Sequence, residues 1–134
     1  MSELRQKYWG DTIRPVLSLT FLDPFGTRHT IDLLADTGCP YDLILNPVWF
    51  DKLVFTDRAD VENNFGVMKA GWLRLYMPEM GLVEVVNGYG SPGVGEALAA
   101  ELPNLAGLVG LPILRLGQYG GNASEFWFRY PVPE

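Results

Sequence analysis

Disulfide and metal chemistry are the first things this sequence is short of, because it has one cysteine, Cys39, and one histidine, His29. A lone cysteine makes no bridge inside a monomer. One His and one Cys form no recognisable metal-ligand constellation, so neither a metal nor another cofactor is expected. Basic residues are scarce as well: ten Lys and Arg face sixteen Asp and Glu, a formal net charge of −6, and no basic cluster stands out. Nucleic acids and anionic membrane surfaces draw most of their affinity from clustered Lys and Arg. Neither is expected as a partner here. Long apolar runs are missing too. The longest uncharged one, Leu105–Leu114, contains Pro112, whereas a membrane helix needs about 20 apolar residues. The start, Met1-Ser-Glu-Leu-Arg-Gln-Lys7, lacks the apolar centre of a signal peptide, and the expectation is a soluble cytoplasmic protein. Asn122-Ala-Ser124 then reads as a turn rather than a glycosylation site.

What the chain does have is core-forming material. Its 134 residues are 48% hydrophobic and 13% aromatic, which suits one domain over 1–134 with a core at about 14–130. Fifteen glycines and ten prolines imply many turns and short strands. From Arg14 to Leu22, Leu17, Leu19 and Phe21 alternate with Ser18 and Thr20, the period of a strand. Asp23-Pro-Phe-Gly26 is turn chemistry, and Arg28–Ala35 completes a hairpin. His29 is placed on its exposed side, without a role. Tyr41–Leu45 resumes strand character. Asn46-Pro47 then opens a short helix to Leu53, since Asn caps free N–H groups and Pro suits the first helical position. Residues 1–12 read as a polar lead-in and 56–64 as a surface connection. Trp72–Met77 and Leu82–Val86 are strands, Val94–Leu102 leans towards helix on propensity, and a short helix follows Pro112. Glu125–Tyr130 makes the last strand, its Phe126-Trp-Phe128 run assigned to core and dimer surface. The class is mainly β.

Two segments carry chemistry. Ile31-Asp-Leu-Leu-Ala-Asp36-Thr37-Gly38-Cys39 brings a carboxylate to the end of an apolar strand, and Gly38 allows a sharp turn where a Cβ would clash. An acid in that setting is costly unless hydrogen-bonded or put to use. Further on, Ala106-Gly-Leu108-Val109-Gly110-Leu-Pro-Ile-Leu114 sets two apolar residues before a glycine and a short helix. Together the D-T-G turn, the apolar-apolar-Gly segment and the closing strand resemble the retropepsin-like aspartic proteases.

That resemblance implies a retropepsin-like acid-protease half-barrel with one or two short helices, working as a two-fold homodimer. Asp36 would be the catalytic carboxylate, Thr37 would reach across to the partner's loop, and Gly38 would shape the turn. Leu108, Val109 and Gly110 would support the loop from below. A flap over the substrate falls by position at Phe65, Gly66, Val67, Met68, Lys69, Ala70 and Gly71. Only one D-T-G is present, because Asp11-Thr12 is followed by Ile13, so an active enzyme needs two copies. Its partners are itself and a polypeptide substrate, and its activity is hydrolysis by a water activated between two Asp36 carboxylates. Two positions depart from the family pattern: Cys39 replaces the usual Ala or Ser, and Asp42 stands where Ser or Thr is common, adding a second acid near the site.

Three other readings compete. Gly88-Tyr-Gly-Ser-Pro-Gly93 fits the dinucleotide fingerprint G-x-G-x-x-G, but no acid follows about 20 residues later and too little chain remains for a doubly wound sheet. An aspartyl-phosphate mechanism wants a second Asp where Gly38 stands. The third rival is a catalytically inactive module of the same fold, used for dimerisation or peptide binding.

Overall fold

The computed structural model describes residues 2–8, 14–63, 66–101 and 104–130. Within them the strands are β1 (Ser2–Lys7), β2 (Val16–Leu22), β3 (Arg28–Asp36), β4 (Leu43–Leu45), β5 (Thr56–Asn63), β6 (Gly66–Met77), β7 (Leu82–Gly90), β8 (Gly107–Gly110), β9 (Gln118–Gly121) and β10 (Glu125–Tyr130). The α-helices are α1 (Pro47–Leu53), α2 (Pro92–Glu101) and α3 (Leu111–Leu114), three where one or two were expected, and Pro78–Met80 forms one turn of 3-10 helix.

Period-two burial builds the first hairpin. Leu17, Leu19 and Phe21 of β2 are buried, as are Ile31, Leu33 and Ala35 of β3. The register pairs Leu17 with Leu33 and Leu19 with Ile31, so both apolar faces meet the same core. In the turn, the Asp23 carboxylate accepts the N–H groups of Phe25 (2.8 Å) and Thr27 (3.0 Å), and Gly26 takes a φ of 83°. Helix α1 begins as its sequence implies: Asn46 accepts the Trp49 N–H at 2.9 Å, and Phe50 and Leu53 face inward.

The main sheet runs β2-β3-β8-β4-β7-β6-β5, and a further pairing of β2 with β6 closes it into a barrel. Strand β8 lies parallel to β3 and antiparallel to β4, wedged between two strands that are neighbours in sequence. Residues 37–42 therefore loop over the end of β8. A separate sheet, β1-β10-β9, joins the two ends of the described chain. The principal core gathers Leu17, Leu33, Leu43, Phe50, Leu73 and Val109, while Cys39, Ile44, Met68 and Val94 form a smaller cluster. No helix among the described residues is long and apolar enough to cross a membrane.

Several sequence expectations need correction. Within the polar lead-in, Ser2–Lys7 is strand β1, held by the whole length of β10. Of the surface connection expected at 56–64, Thr56–Asn63 is strand β5, whose side chains are nearly all exposed, and Asn64 lies outside the described residues. An alternation signal needs one buried face, and β5 has none. Strand β9 had no signal either, since Gln118-Tyr-Gly-Gly121 has little apolar content. The strand at Trp72 starts six residues earlier, at Gly66, and the one at Leu82 continues to Gly90. Helix α2 occupies most of the ambiguous 94–102 segment, with Leu102 outside the described residues.

His29 is also not the exposed residue expected. Its Nε2 lies 2.8 Å from Asp23 Oδ2, and its ring meets Trp49 edge-on at 5.9 Å. This bond, with the Thr27 and Phe25 N–H groups, holds the Asp23 carboxyl below its usual range. A carboxylate with a depressed folded-state pKa stabilises the fold above its ordinary value, and that contribution disappears as pH falls through the depressed one. Asp23→Asn is therefore expected to lower the melting temperature near pH 7. The gap from the parent should shrink as pH drops below about 4, which thermal melts across a pH series would register.

Candidate active site

Asp36 is the last residue of β3, directly opposite Gly110 at the end of β8. The turn that follows is tied by its own backbone. The Gly38 N–H donates to Asp36 Oδ1 at 2.9 Å, and the Cys39 N–H donates to the Asp36 carbonyl at 3.1 Å. Two bonds then fasten the turn to the crossing strand and α3. Gly110 N–H donates to the Asp42 carbonyl (2.9 Å), and Leu111 N–H to that of Cys39 (3.0 Å). The approach is so close that a Cβ at Gly110 would run into the Tyr41 carbonyl oxygen and lie 2.9 Å from that of Cys39. Only glycine fits there.

The structure thus brings Asp36, Thr37, Gly38 and Leu108–Gly110 into one crossed-loop assembly. Leu34 faces Leu108 and Ala35 faces Val109 across the parallel pairing. Val109 is fully buried. Asp36 is half-exposed, and Thr37 and Gly38 are exposed. The crossed loop accordingly holds the Asp36 carboxylate half-exposed and oriented by one backbone N–H. Among the described residues no cluster of three or more His, Cys, Asp or Glu is arranged to hold a metal ion.

The flap candidates lie on the β5–β6 hairpin, where Asn63 pairs with Gly66, and Gly66 takes a φ of 96°. Phe65 lies outside the described residues. Gly66, Val67 and Lys69 are exposed, whereas Met68, Ala70 and Gly71 are buried. Met68 belongs to the small cluster with Cys39, Ile44 and Val94, so the inner face of the hairpin shares a core with the Asp36 turn. Lys69 Nζ reaches Asp51 Oδ1 on α1 at 3.6 Å, an exposed pair worth little.

The two departures in the motif turn out to face inward. Cys39 is buried, its Sγ donating to the Tyr41 carbonyl at 3.6 Å, and burial pushes its thiol pKa up. Asp42 points away from the turn towards β7, where its Oδ2 accepts the Asn87 N–H at 2.9 Å. Sequence reasoning noticed Asp42 without finding this partner, because a pairing 45 residues away has no local signal.

The dinucleotide fingerprint has no cradle. Gly88 and Gly90 are ladder residues of β7. Buried Ser91 donates its N–H to the Leu45 carbonyl and caps α2, its hydroxyl accepting the Val94 N–H at 3.2 Å. A Cβ at Gly95 would sit 3.0 Å from the Cβ of Asn46. The start of α2 is packed against β4 and α1.

No protein-family model and no curated protein sequence matches the chain. Among solved structures it is similar to a retropepsin-like aspartic protease from Rickettsia conorii, at 16% identity and a TM-score of 0.51. The match spans 96% of this chain and 99% of that one. At this identity the likeness establishes the fold, which is retropepsin-like.

Two outcomes follow from the local geometry. Gly110→Ala should cost at least about 1–3 kcal/mol in urea unfolding, whereas Gly26→Ala, with nothing near its Cβ, should cost only the strain of its positive φ. Cys39 should resist alkylation at neutral pH while the protein is folded, and react readily once it is unfolded; thiol titration with and without denaturant reads the difference.

Proposed function

We propose that this chain is one half of an aspartic endopeptidase, completed by a second copy. The observation that carries this reading is a half-exposed Asp36 at the end of β3, opposite Gly110 in a crossed loop, on a retropepsin-like fold. Each chain supplies one such carboxylate, so a working site needs two chains related by a two-fold axis.

The chemistry follows from like charges at short range. Two carboxylates sharing a site do not both ionise cheaply, so the pair holds one proton between them. The ionised member accepts a proton from water as that water attacks the peptide carbonyl. The protonated member hydrogen-bonds the developing oxyanion and helps deliver a proton to the departing amine. The peptide C–N bond breaks, and the water is divided between the new acid and amine. In this scheme the Gly38 N–H orients the Asp36 carboxylate. Thr37, exposed beside it, grips the partner's turn. Leu108, Val109 and Gly110 brace the loop, and the β5–β6 hairpin covers an extended peptide.

Incubation with an unfolded protein between about pH 4 and 7, with and without a statine-type inhibitor, tests the proposal. The parent should cut and the inhibitor should stop it. Asp36→Asn should abolish cleavage while sedimentation still reports a dimer. Cleavage that persists in Asp36→Asn sinks the catalytic assignment. A parent that dimerises without cutting would instead be a scaffold of the same fold.

A further inference from the structure

Asp42 is the residue the motif leaves unexplained, and it holds two elements at once. Its carbonyl accepts the N–H of Gly110, the residue opposite Asp36, while its carboxylate accepts the N–H of Asn87 on β7. The Asn87 side chain continues outward, its Oδ1 accepting a hydrogen bond from Arg58 Nη1 at 2.5 Å. Arg58 belongs to β5, one strand of the covering hairpin. It stands where the β5–β6 register shifts, between Arg58 and Val61. Its guanidinium lies over Trp72 of β6 at 5.9 Å, and Trp72 is the register partner of Asn87. An unbroken line of polar contacts thus runs from the Asp36 turn through β7 to an irregular point of the hairpin.

The charges along this line are matched. Asp42 holds the Asn87 N–H and Arg58 its side-chain oxygen, and both act on the Tyr89 hydroxyl. Burial chiefly raises the pKa of Tyr89, Asp42 adds to the rise, and Arg58 opposes it. The Tyr89 ring packs edge-on against Tyr41 of the turn at 4.8 Å. A serine or threonine at position 42 could also accept a hydrogen bond. Only an acid supplies a charge that Arg58 can sense across the asparagine.

We propose that Asp42 is a positioning residue for Asp36, and that the Arg58–Asn87–Asp42 line transmits the position of the β5–β6 hairpin to the catalytic turn. The proposal rests on the endopeptidase reading for its purpose, though not for its geometry. A peptide seated under the hairpin shifts β5. Arg58 then pulls on Asn87, and Asp42 carries the displacement into the turn that holds Gly110 and the Asp36 carboxylate. Covering the substrate and setting the acid become one event.

Amide hydrogen exchange on the intact chain tests this directly, because the Gly38 N–H is bonded to Asp36 Oδ1 and reports where that carboxylate sits. Arg58→Met and Asn87→Ala change side chains bonded to each other, and both leave the Asn87 N–H bond to Asp42 in place. Both should nevertheless speed exchange at Gly38, Cys39 and Gly110 by roughly fivefold. Asp42→Ala should do at least as much, and Asp42→Asn, which keeps an accepting oxygen but not the charge, should restore only part of the protection. The double variant Asp42→Ala/Arg58→Met should match Asp42→Ala alone, since both cut one line.

Faster exchange confined to residues 56–77 in Arg58→Met and Asn87→Ala would overturn the proposal, as would simple additivity in the double variant. Should Asp42→Ala not fold, Arg58→Met, Asn87→Ala and Asp42→Asn still decide the matter. For a peptide that the parent cleaves, Arg58→Met should lower kcat more than it raises KM, the opposite of a lost substrate contact. Exchange is read whether or not the protein cuts. An inactive parent with coupled exchange removes the endopeptidase reading and leaves the line standing; an active parent without coupling does the reverse.

Discussion

Everything in this molecule depends on one close backbone crossing, the passage of β8 between β3 and β4. At Gly107 an added Cβ would strike the Ile44 carbonyl oxygen, and at Gly110 that of Tyr41. Both ends of β8 must therefore be bare of side chains for the strands to pair on both sides. Once they do, the short loop of residues 37–42 has to arch over the end of β8, and Asp36 is left at the lip of the arch. The placement of the acid follows from the crossing, since a carboxylate anywhere else on β3 would fall on the buried face or on the flank of the sheet.

The local setting of Asp36 keeps its charge affordable. A buried, isolated carboxylate costs several kcal/mol, but this one is half-exposed and accepts a backbone N–H from Gly38. The other polar residues of the region are more fully used. Asp42 is bonded through both its carbonyl and its carboxylate, and Ser91 is consumed in capping α2. Among the described residues no buried side-chain nitrogen or oxygen lacks a hydrogen-bond partner. Of the acids near the turn, Asp42 spends its carboxylate on the neighbouring strand β7, whereas the Asp36 carboxylate accepts an N–H from within its own turn.

The smaller hydrophobic cluster serves as the joint between the hairpin and the turn. Met68 enters it from β6, Cys39 from the turn, Ile44 from β4 and Val94 from α2. Three stretches of chain, around residues 39–44, 68 and 94, meet there, with Leu108 packed alongside. Cys39 suits this position because it is small and apolar, and its raised thiol pKa removes the reactivity an exposed cysteine would bring. The β5–β6 hairpin is thus anchored in the same packing that supports the Asp36 turn.

The β2–β3 hairpin, the Asn46-Pro47 helix start and the D-T-G turn were all legible in the sequence, because each rests on contacts among neighbours or on a periodic buried face. The pairing of that turn with Leu108-Val109-Gly110 was implied only by the family resemblance, since no local rule joins two segments so far apart in the chain. Strands β1, β5 and β9 were not legible: the half-buried face of β1 is mostly polar, and β5 and β9 show no apolar alternation along their length. His29 and Asp42 were misread or left without a role because their partners became neighbours only when the barrel closed. Residue chemistry and local periodicity determined that an acid would end an apolar strand. Tertiary structure alone decided what faces that acid, because long-range contacts depend on register and topology and leave no trace in any short stretch of chain.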